Sequence, residues 1–119
     1  MICTLSSVWS SDQPPRHQDR GLQVAGYSAA LSQEARARAG QQFSDGSVPV
    51  IVATTAFGLG VNKKDVRLVV NWGPTGSLSM YMQMIGRAGR DLCPARCMMF
   101  WSPAGVNSRK FMLRQDAAR

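Results

Sequence analysis

The chain has 119 residues, enough for one compact domain with a single core. Its hydrophobic fraction of 45% and charged fraction of 18% exclude a disordered chain, and no apolar run approaches the roughly 20 residues of a membrane-spanning helix. The first ten residues also lack a secretory signal, so we expect an intracellular protein without a membrane partner. The formal net charge of +7 favours a nucleic acid or a nucleotide phosphate as partner, and a generically basic surface is the alternative.

The N-terminal segment gives the weakest structural signal. Residues 1–5 fit a strand, but 6–20 show almost no apolar periodicity and include Pro14-Pro15, which argues against a helix. We therefore predict that 1–20 is a degenerate or poorly ordered segment. The domain itself is expected to span 21–114, and 115–119 are expected to form a tail.

Strands and helices are predicted to alternate after residue 20. A strand at 22–27 is followed by a helix whose N-cap is Ser32 and whose end is Asp45-Gly46. One face of this helix carries apolar residues four apart: Ala35, Ala39 and Phe43.

Two continuous apolar runs, 48–53 and 66–72, have the pattern of strands buried on both faces of a parallel sheet. Three further elements complete the chain: a helix capped by Ser77 and ending near Ile85, a strand at 95–101, and a helix that Ser102-Pro103 opens towards Leu113. This order predicts an α/β fold, a single domain with a mostly parallel sheet flanked by helices. Ligands of such sheets bind beyond the carboxyl ends of the strands, so we expect the site at the loops after Ala53, after Trp72 and after the helix ending near Ile85.

The string QMIGRAGRD at residues 83–91 is the most specific feature. Arg87 and Arg90 are separated by only Ala and Gly, so both guanidinium groups can converge from one side of a helical turn on one anion. Phosphoryl transfer needs such charge neutralisation, and a supplied arginine can raise its rate by about 10³–10⁵. Solvated arginines at a helix end are the alternative for the bare pair, but not for the whole string.

This string resembles motif six of superfamily 2 helicases, in the version seen in RecQ helicases. VATTAFGLGVNK at 52–63 is similar to their motif five, and YSAALS at 27–32 to the element before the next helix. The 48–53 run and the Asn71-Trp72 pair look most like the fifth animal RecQ paralogue. The similarity runs from about Gly21 to Leu113.

The resemblance implies a RecA-like fold and the C-terminal motor lobe of an ATP-dependent 3′-to-5′ DNA helicase in recombination, repair and replication. No GxxxxGK[ST] phosphate loop and no acidic Walker-B string occurs in the 119 residues. ATP with Mg²⁺ is therefore expected only at an interface with a first RecA-like lobe, absent from this sequence and supplied in cis or in trans, and the isolated chain is expected to lack ATPase activity. The implied DNA is single-stranded or forked. The implied location is the nucleus, on chromosomes, with the cytoplasm as the alternative.

The resemblance also implies the residues of a nucleotide site. Arg90 is similar to the arginine finger, and Arg87 to its partner on the γ-phosphate. Gln83 would couple the nucleotide to the attacking water or to the other lobe. Asn62 and Gly60 would meet the nucleotide, with Asn62 at the ribose or between the lobes.

Motif five implies the contacts with single-stranded DNA, which are Thr54, Phe57 and Gly58. A threonine hydroxyl can donate a hydrogen bond to a phosphate, and glycine lets the backbone come close to it. Taken singly, Thr54 and Asn62 fit ordinary loop positions as well. Phe57 fits a core position better than a base-stacking one.

Four positions depart from the family pattern: Ser28, Ala30, Met84 and Leu92. They stand where a histidine, a glycine, a glutamate and a glycine are usual. The region that should hold motif four, residues 1–20, also matches poorly. This poor match and Met84 favour an alternative function, a non-catalytic module that binds DNA or another helicase chain, whereas the retained arginines favour a motor lobe. An RNA helicase of the same superfamily is a further alternative, but the strings AFGxG and RAGRD are more typical of RecQ helicases.

The three cysteines are expected to be free thiols in a reducing compartment. A structural zinc ion needs four ligands, and Cys93 and Cys97 are two. The other candidates, Cys3 and His17, are far away in sequence. We therefore expect no zinc or other metal site within the chain.

Overall fold

The computed structural model describes residues 2–5, 21–54 and 62–117. The elements are β1 (Ile2–Leu5), β2 (Val24–Tyr27), α1 (Gln33–Asp45), β3 (Val50–Ala53), β4 (Leu68–Trp72), α2 (Leu78–Ile85), β5 (Arg96–Phe100) and α3 (Pro103–Ala117). The predicted α/β class and the predicted order of strands and helices are confirmed.

All five strands form one parallel sheet in the order β2-β3-β1-β4-β5. The strand expected at 1–5 is confirmed, but it lies at the centre of the sheet rather than in a segment ahead of the domain. A four-residue strand followed by a polar stretch has no periodicity that could reveal this position. The rest of the predicted degenerate segment, 6–20, lies outside the described residues.

Much of the buried apolar core of the described residues lies between α1 and the strands β2 and β3. Phe43 and Ile51 are fully buried there, and all four residues of β3 are buried, as the apolar run predicts. The Ser32 side chain accepts a hydrogen bond from Ala35 N at 3.2 Å, and Gly46 ends the helix with a φ of 85°. These cap predictions are confirmed, and a left-handed C-cap of this kind favours glycine.

Several elements differ at their ends from the prediction. β3 begins after Pro49, which has no N–H to donate to a neighbouring strand. β4 begins two residues after Val66, because the Val66 carbonyl accepts from Gly89 N at 3.0 Å in a loop contact. α3 starts after Ser102 as predicted, but it continues to Ala117 and takes up part of the predicted tail. No glycine or proline stops it.

The described residues at the β5 end of the sheet are more exposed. Four of the five residues of the edge strand β5 are exposed, and α3 exposes Phe111, Met112 and Leu113. None of the helices in the described part of the chain is both long and apolar enough to cross a membrane.

Candidate functional site

The two motif arginines lie in a turn that follows α2, which we call the arginine turn (residues 86–92). α2 ends at Ile85, where Gly86 N donates to Met82 O at 2.9 Å. Ala88 N then donates to Ile85 O at 3.0 Å, which tightens the chain beyond the helix. The sequence predicts that the arginines share one side of a helical turn, and the structure places them in the tight turn that follows the helix.

Gly89 is the residue that gives the arginine turn its shape. Its φ of 61° lies in the left-handed region, and its N–H donates to Val66 O at 3.0 Å. A Cβ at this position would lie 2.8 Å from Cys93 O, closer than such atoms approach. The turn therefore depends on glycine for both its conformation and its packing.

The arginine turn lies at the amino edge of the sheet, where the strands begin. Its contacts are with Val66 and Arg67 just ahead of β4, and the chain leaves it to enter β5. The prediction that the loop after Ile85 lies beyond the carboxyl ends of the strands is wrong. Because α2 starts after β4 and runs back to the start of a parallel β5, its end must lie at the opposite edge.

Arg90 is held by the chain itself. Its Nε donates to Gly86 O at 3.1 Å, and its Nη1 donates to Asn62 Oδ1 at 3.2 Å. Both side chains are exposed. The structure thus joins Asn62, at the end of motif five, to Arg90, at the end of motif six, two residues that the sequence assigned to one nucleotide site.

Arg87 lies in the same turn and is half-buried. Burial lowers the pKa of its guanidinium, and the neighbouring Arg90 lowers it further. Both causes disfavour positive charge, so an anion bound beside the pair would offset them. Gln83 is exposed on the last turn of α2, one helical turn before Arg87. The predicted set of Gln83, Arg87, Arg90 and Asn62 is thus at one edge of the sheet.

A clamp around Arg67 fixes the far end of the arginine turn. Arg67 pairs with the Asp91 carboxylate, and its Nη1 donates to the carbonyl oxygens of Cys93 at 3.2 Å and Pro94 at 3.3 Å. The other carboxylate oxygen of Asp91 accepts from Cys93 N at 3.1 Å. Hydrogen bonding from Arg67 lowers the pKa of Asp91.

The sequence did not identify Arg67 as part of the site. Arg67 and Asp91 are 24 positions apart, and no spacing rule connects them. Asp91 closes the recognised string, which is the one signal that could have prompted a search for its partner.

The predicted DNA-contacting residues lie elsewhere. Thr54 is half-buried directly after β3, at the carboxyl edge, and its N–H donates to Tyr27 O at 3.1 Å. Phe57, Gly58 and Gly60 lie outside the described residues. Thr54 and the arginine turn are therefore at opposite edges of the sheet.

Cys93 and Cys97 are exposed free thiols. Partial burial raises the pKa of Cys97. Within the described ranges, no group of three or more His, Cys, Asp or Glu side chains could hold a metal ion.

Comparison with known sequences gives one family and a consistent set of relatives. The model of the helicase conserved C-terminal domain matches residues 6–91, a span that begins inside the segment predicted to be degenerate. ATP-dependent helicase wrn-1 of Caenorhabditis elegans is 44% identical over 96 residues, 81% of this chain and 9% of that protein. ATP-dependent DNA helicase Q5 of Rattus norvegicus is 37% identical over 100 residues, 84% of this chain and 10% of that protein. The chain thus spans about a tenth of the length of these relatives.

Solved structures show the same fold at low sequence identity. The C-terminal domain of the DEAD-box protein Dbp5 covers 99% of this chain, and the chain covers 70% of it, with a TM-score of 0.66 and 19% identity. The DUF1998 helicase MrfA, bound to DNA and AMPPNP, gives a TM-score of 0.70 at 17% identity, with 98% of this chain and 17% of that one covered. The predicted RecA-like fold is confirmed. The chain therefore belongs to the family of the helicase conserved C-terminal domain, and its resemblance to RecQ-type DNA helicases is confirmed.

Proposed function

We propose that the chain is the C-terminal motor lobe of an ATP-dependent 3′-to-5′ DNA helicase of the RecQ type. In this role Arg87 and Arg90 contact the γ-phosphate of an ATP molecule that a first RecA-like lobe holds. The observation that carries the proposal is the arginine turn, which presents both guanidinium groups, with Arg90 bonded to Asn62.

The chemistry required of this lobe is charge neutralisation. When bound between two lobes, ATP with Mg²⁺ supplies the phosphoryl group, and the chain contributes the positive charge that stabilises its transfer. Asn62 and the Gly86 carbonyl orient Arg90, and the Arg67 clamp fixes the backbone beyond it. Gln83, exposed one helical turn before Arg87, faces the same nucleotide in this proposal. The phosphate loop and the metal ligands belong to the first lobe.

The position of Thr54 suggests how hydrolysis couples to DNA. The nucleotide-facing arginines occupy the amino edge of the sheet, and Thr54 occupies the carboxyl edge. Because one continuous sheet joins the edges, movement of the arginine turn towards a phosphate would carry the DNA-facing edge with it. The proposed substrate is single-stranded or forked DNA in the nucleus, during recombination, repair and replication.

A complementation assay tests this function. The purified chain is mixed with a separately purified first lobe of a RecQ-type relative, and ATP hydrolysis is measured with and without oligodeoxythymidylate. We expect hydrolysis that depends on both proteins and on DNA, and a loss of about 10³-fold or more on Arg90→Ala. Arg38→Ala, which removes an exposed arginine of α1, is the matched control.

Two results would contradict the proposal. One is DNA-stimulated hydrolysis by the chain alone, and the other is a complemented rate that Arg90→Ala leaves unchanged. Binding of DNA or of the first lobe without any hydrolysis would instead favour the non-catalytic module.

A further inference from the structure

A groove of about 580 Å³ opens at the carboxyl edge of the sheet, which we call the aromatic groove. It lies between the ends of β4 and β5 and the first three turns of α3. Its walls include Trp72, Phe100 and Trp101, and Arg109 and Met112 line it from α3. None of these residues lies in the strings that resemble motifs five and six, at 52–63 and 83–91.

The aromatic side chains of the groove are exposed although they are large and apolar. Trp72 and Phe100 are paired across the two strands, with ring centroids 5.5 Å apart, and they are 58% and 47% exposed. Trp101 is 67% exposed. Gly73 N donates to Phe100 O at 2.8 Å, which fixes the two strand ends beside each other. Exposed aromatic surface gathered at one place indicates a ligand that covers it.

Arg109 gives the groove a positive and incompletely bonded group. Its guanidinium lies against Gly76, where a Cβ would be 2.6 Å from Nη2. Its Nε is buried, and no described residue accepts a hydrogen bond from it. Arg109 lines the groove, and the Nη nitrogens of a guanidinium can donate hydrogen bonds to an anion that enters it.

The start of α3 adds to this positive end. Ser102 Oγ accepts from Gly105 N at 3.1 Å, and both residues line the groove. The first turn of a helix carries partial positive charge, so it favours an anion beside Arg109. The groove thus combines flat aromatic surface with an anion-binding end.

We infer, on the basis of the proposed function, that the aromatic groove binds one nucleotide of single-stranded DNA. The base stacks on the aromatic side chains, and the adjoining phosphate meets Arg109 and the start of α3. Stacking requires a free base face, which a duplex does not offer. The net charge of +7 suits a polyanion, and Thr54 lies at the same edge of the sheet. The positive charge of Arg109 in the groove favours this ligand over a purely apolar protein surface.

Tryptophan fluorescence of the full chain tests the inference. Titration with a 15-residue oligodeoxythymidylate at low salt is expected to quench the fluorescence, because a base stacks on Trp72 or Trp101. An abasic oligomer of equal length, with the same phosphates, is expected to quench little and to bind about tenfold more weakly. Trp101→Leu, a change at an exposed position, should remove much of the quenching.

Two charge variants distinguish DNA binding in the groove from general electrostatic attraction to a basic protein. Arg109→Gln should weaken binding about tenfold, whereas Lys110→Gln, which removes the same charge from the exposed neighbour on α3, should weaken it much less. Thermal unfolding of each variant, followed by circular dichroism, checks that the fold is retained.

Three results would overturn the inference: equal weakening by both charge variants, equal binding of the abasic oligomer, or a DNA-independent dimer in sedimentation that buries the tryptophans. Failure of the proposed function is detected independently, because the wild-type chain mixed with the first lobe would then hydrolyse no ATP. If hydrolysis occurs, Arg109→Gln should raise the DNA concentration for half-maximal stimulation and leave the maximal rate unchanged.

Discussion

The two edges of the sheet differ in how far the chain satisfies its own polar groups. At the amino edge, Arg90 is bonded to Asn62, and Arg67 is bonded to Asp91 and two loop carbonyls. At the carboxyl edge, Arg109 retains a buried donor with no acceptor among the described residues, beside exposed aromatic rings. One edge is prearranged by internal contacts, and the other exposes aromatic rings beside an arginine.

The difference fits two kinds of recognition. A group that must meet one phosphate in a defined geometry gains from being held in place beforehand, because positioning is most of its contribution. A surface that holds successive nucleotides of any sequence needs stacking and charge rather than fixed bonds. The amino edge has the fixed internal bonds that suit the positioning of one phosphate. The carboxyl edge has the exposed aromatic rings and the positive charge that suit stacking of nucleotides.

The largest disturbance of the prearranged edge is expected from Gly89→Ala. The added Cβ would lie 2.8 Å from Cys93 O, and the residue would have to keep a φ of 61°. We expect a loss of about 1–3 kcal/mol in the free energy of unfolding, measured by urea denaturation, together with a large loss of complemented ATPase activity.

Gly46→Ala is the matched control for Gly89→Ala. Gly46 has a φ of 85°, but nothing lies within 4 Å of the position that a Cβ would take, so the substitution carries the conformational cost without the steric conflict. It should leave the ATPase activity unchanged. Equal effects of the two substitutions on ATPase activity would show that the arginine turn does not depend on this contact.

A smaller effect is expected from Asn62→Ala. Loss of one hydrogen bond to Arg90 should lower kcat in the complemented assay by roughly threefold to tenfold and leave KM for ATP nearly unchanged. We expect this result because Asn62 positions Arg90 and does not itself bind ATP. Asn107→Ala on exposed α3 is the control. An increase in KM without a change in kcat would instead assign Asn62 to the ribose.

The sequence predicts local features of this molecule better than distant ones. The caps at Ser32, Ser77 and Ser102 and the buried run of β3 depend on neighbouring residues, and all of them are confirmed. The edge at which the arginine turn lies depends instead on the crossover between two parallel strands. No local pattern contains that information.

The same limit applies to the candidate site. Arg87 and Arg90 were found because they share one short string, whereas the Arg67–Asp91 pair joins positions 24 apart. The aromatic groove is assembled from the ends of two strands and one face of a helix, so its members are scattered over 41 positions between Trp72 and Met112 as the chain runs. Only the folded sheet brings them together.

The smallest expected effect is a pH dependence at the Arg67 clamp. The pKa of Asp91 is lowered from its ordinary value of 3.8, so its carboxylate is favoured in the folded chain. The stability that it contributes is present above about pH 4 and is lost as the pH falls through the lower pKa of the folded state. Asp91→Asn should therefore reduce stability at pH 6 and flatten its decline between pH 4 and pH 2.5, measured by urea denaturation.

Because the Arg67–Asp91 pair is exposed, 1 M NaCl should shrink the difference in stability between the wild type and Asp91→Asn. Glu34→Gln, which removes an exposed carboxylate of α1, is the control, and an Asp91→Asn profile parallel to that of the wild type would show that the clamp adds nothing to stability.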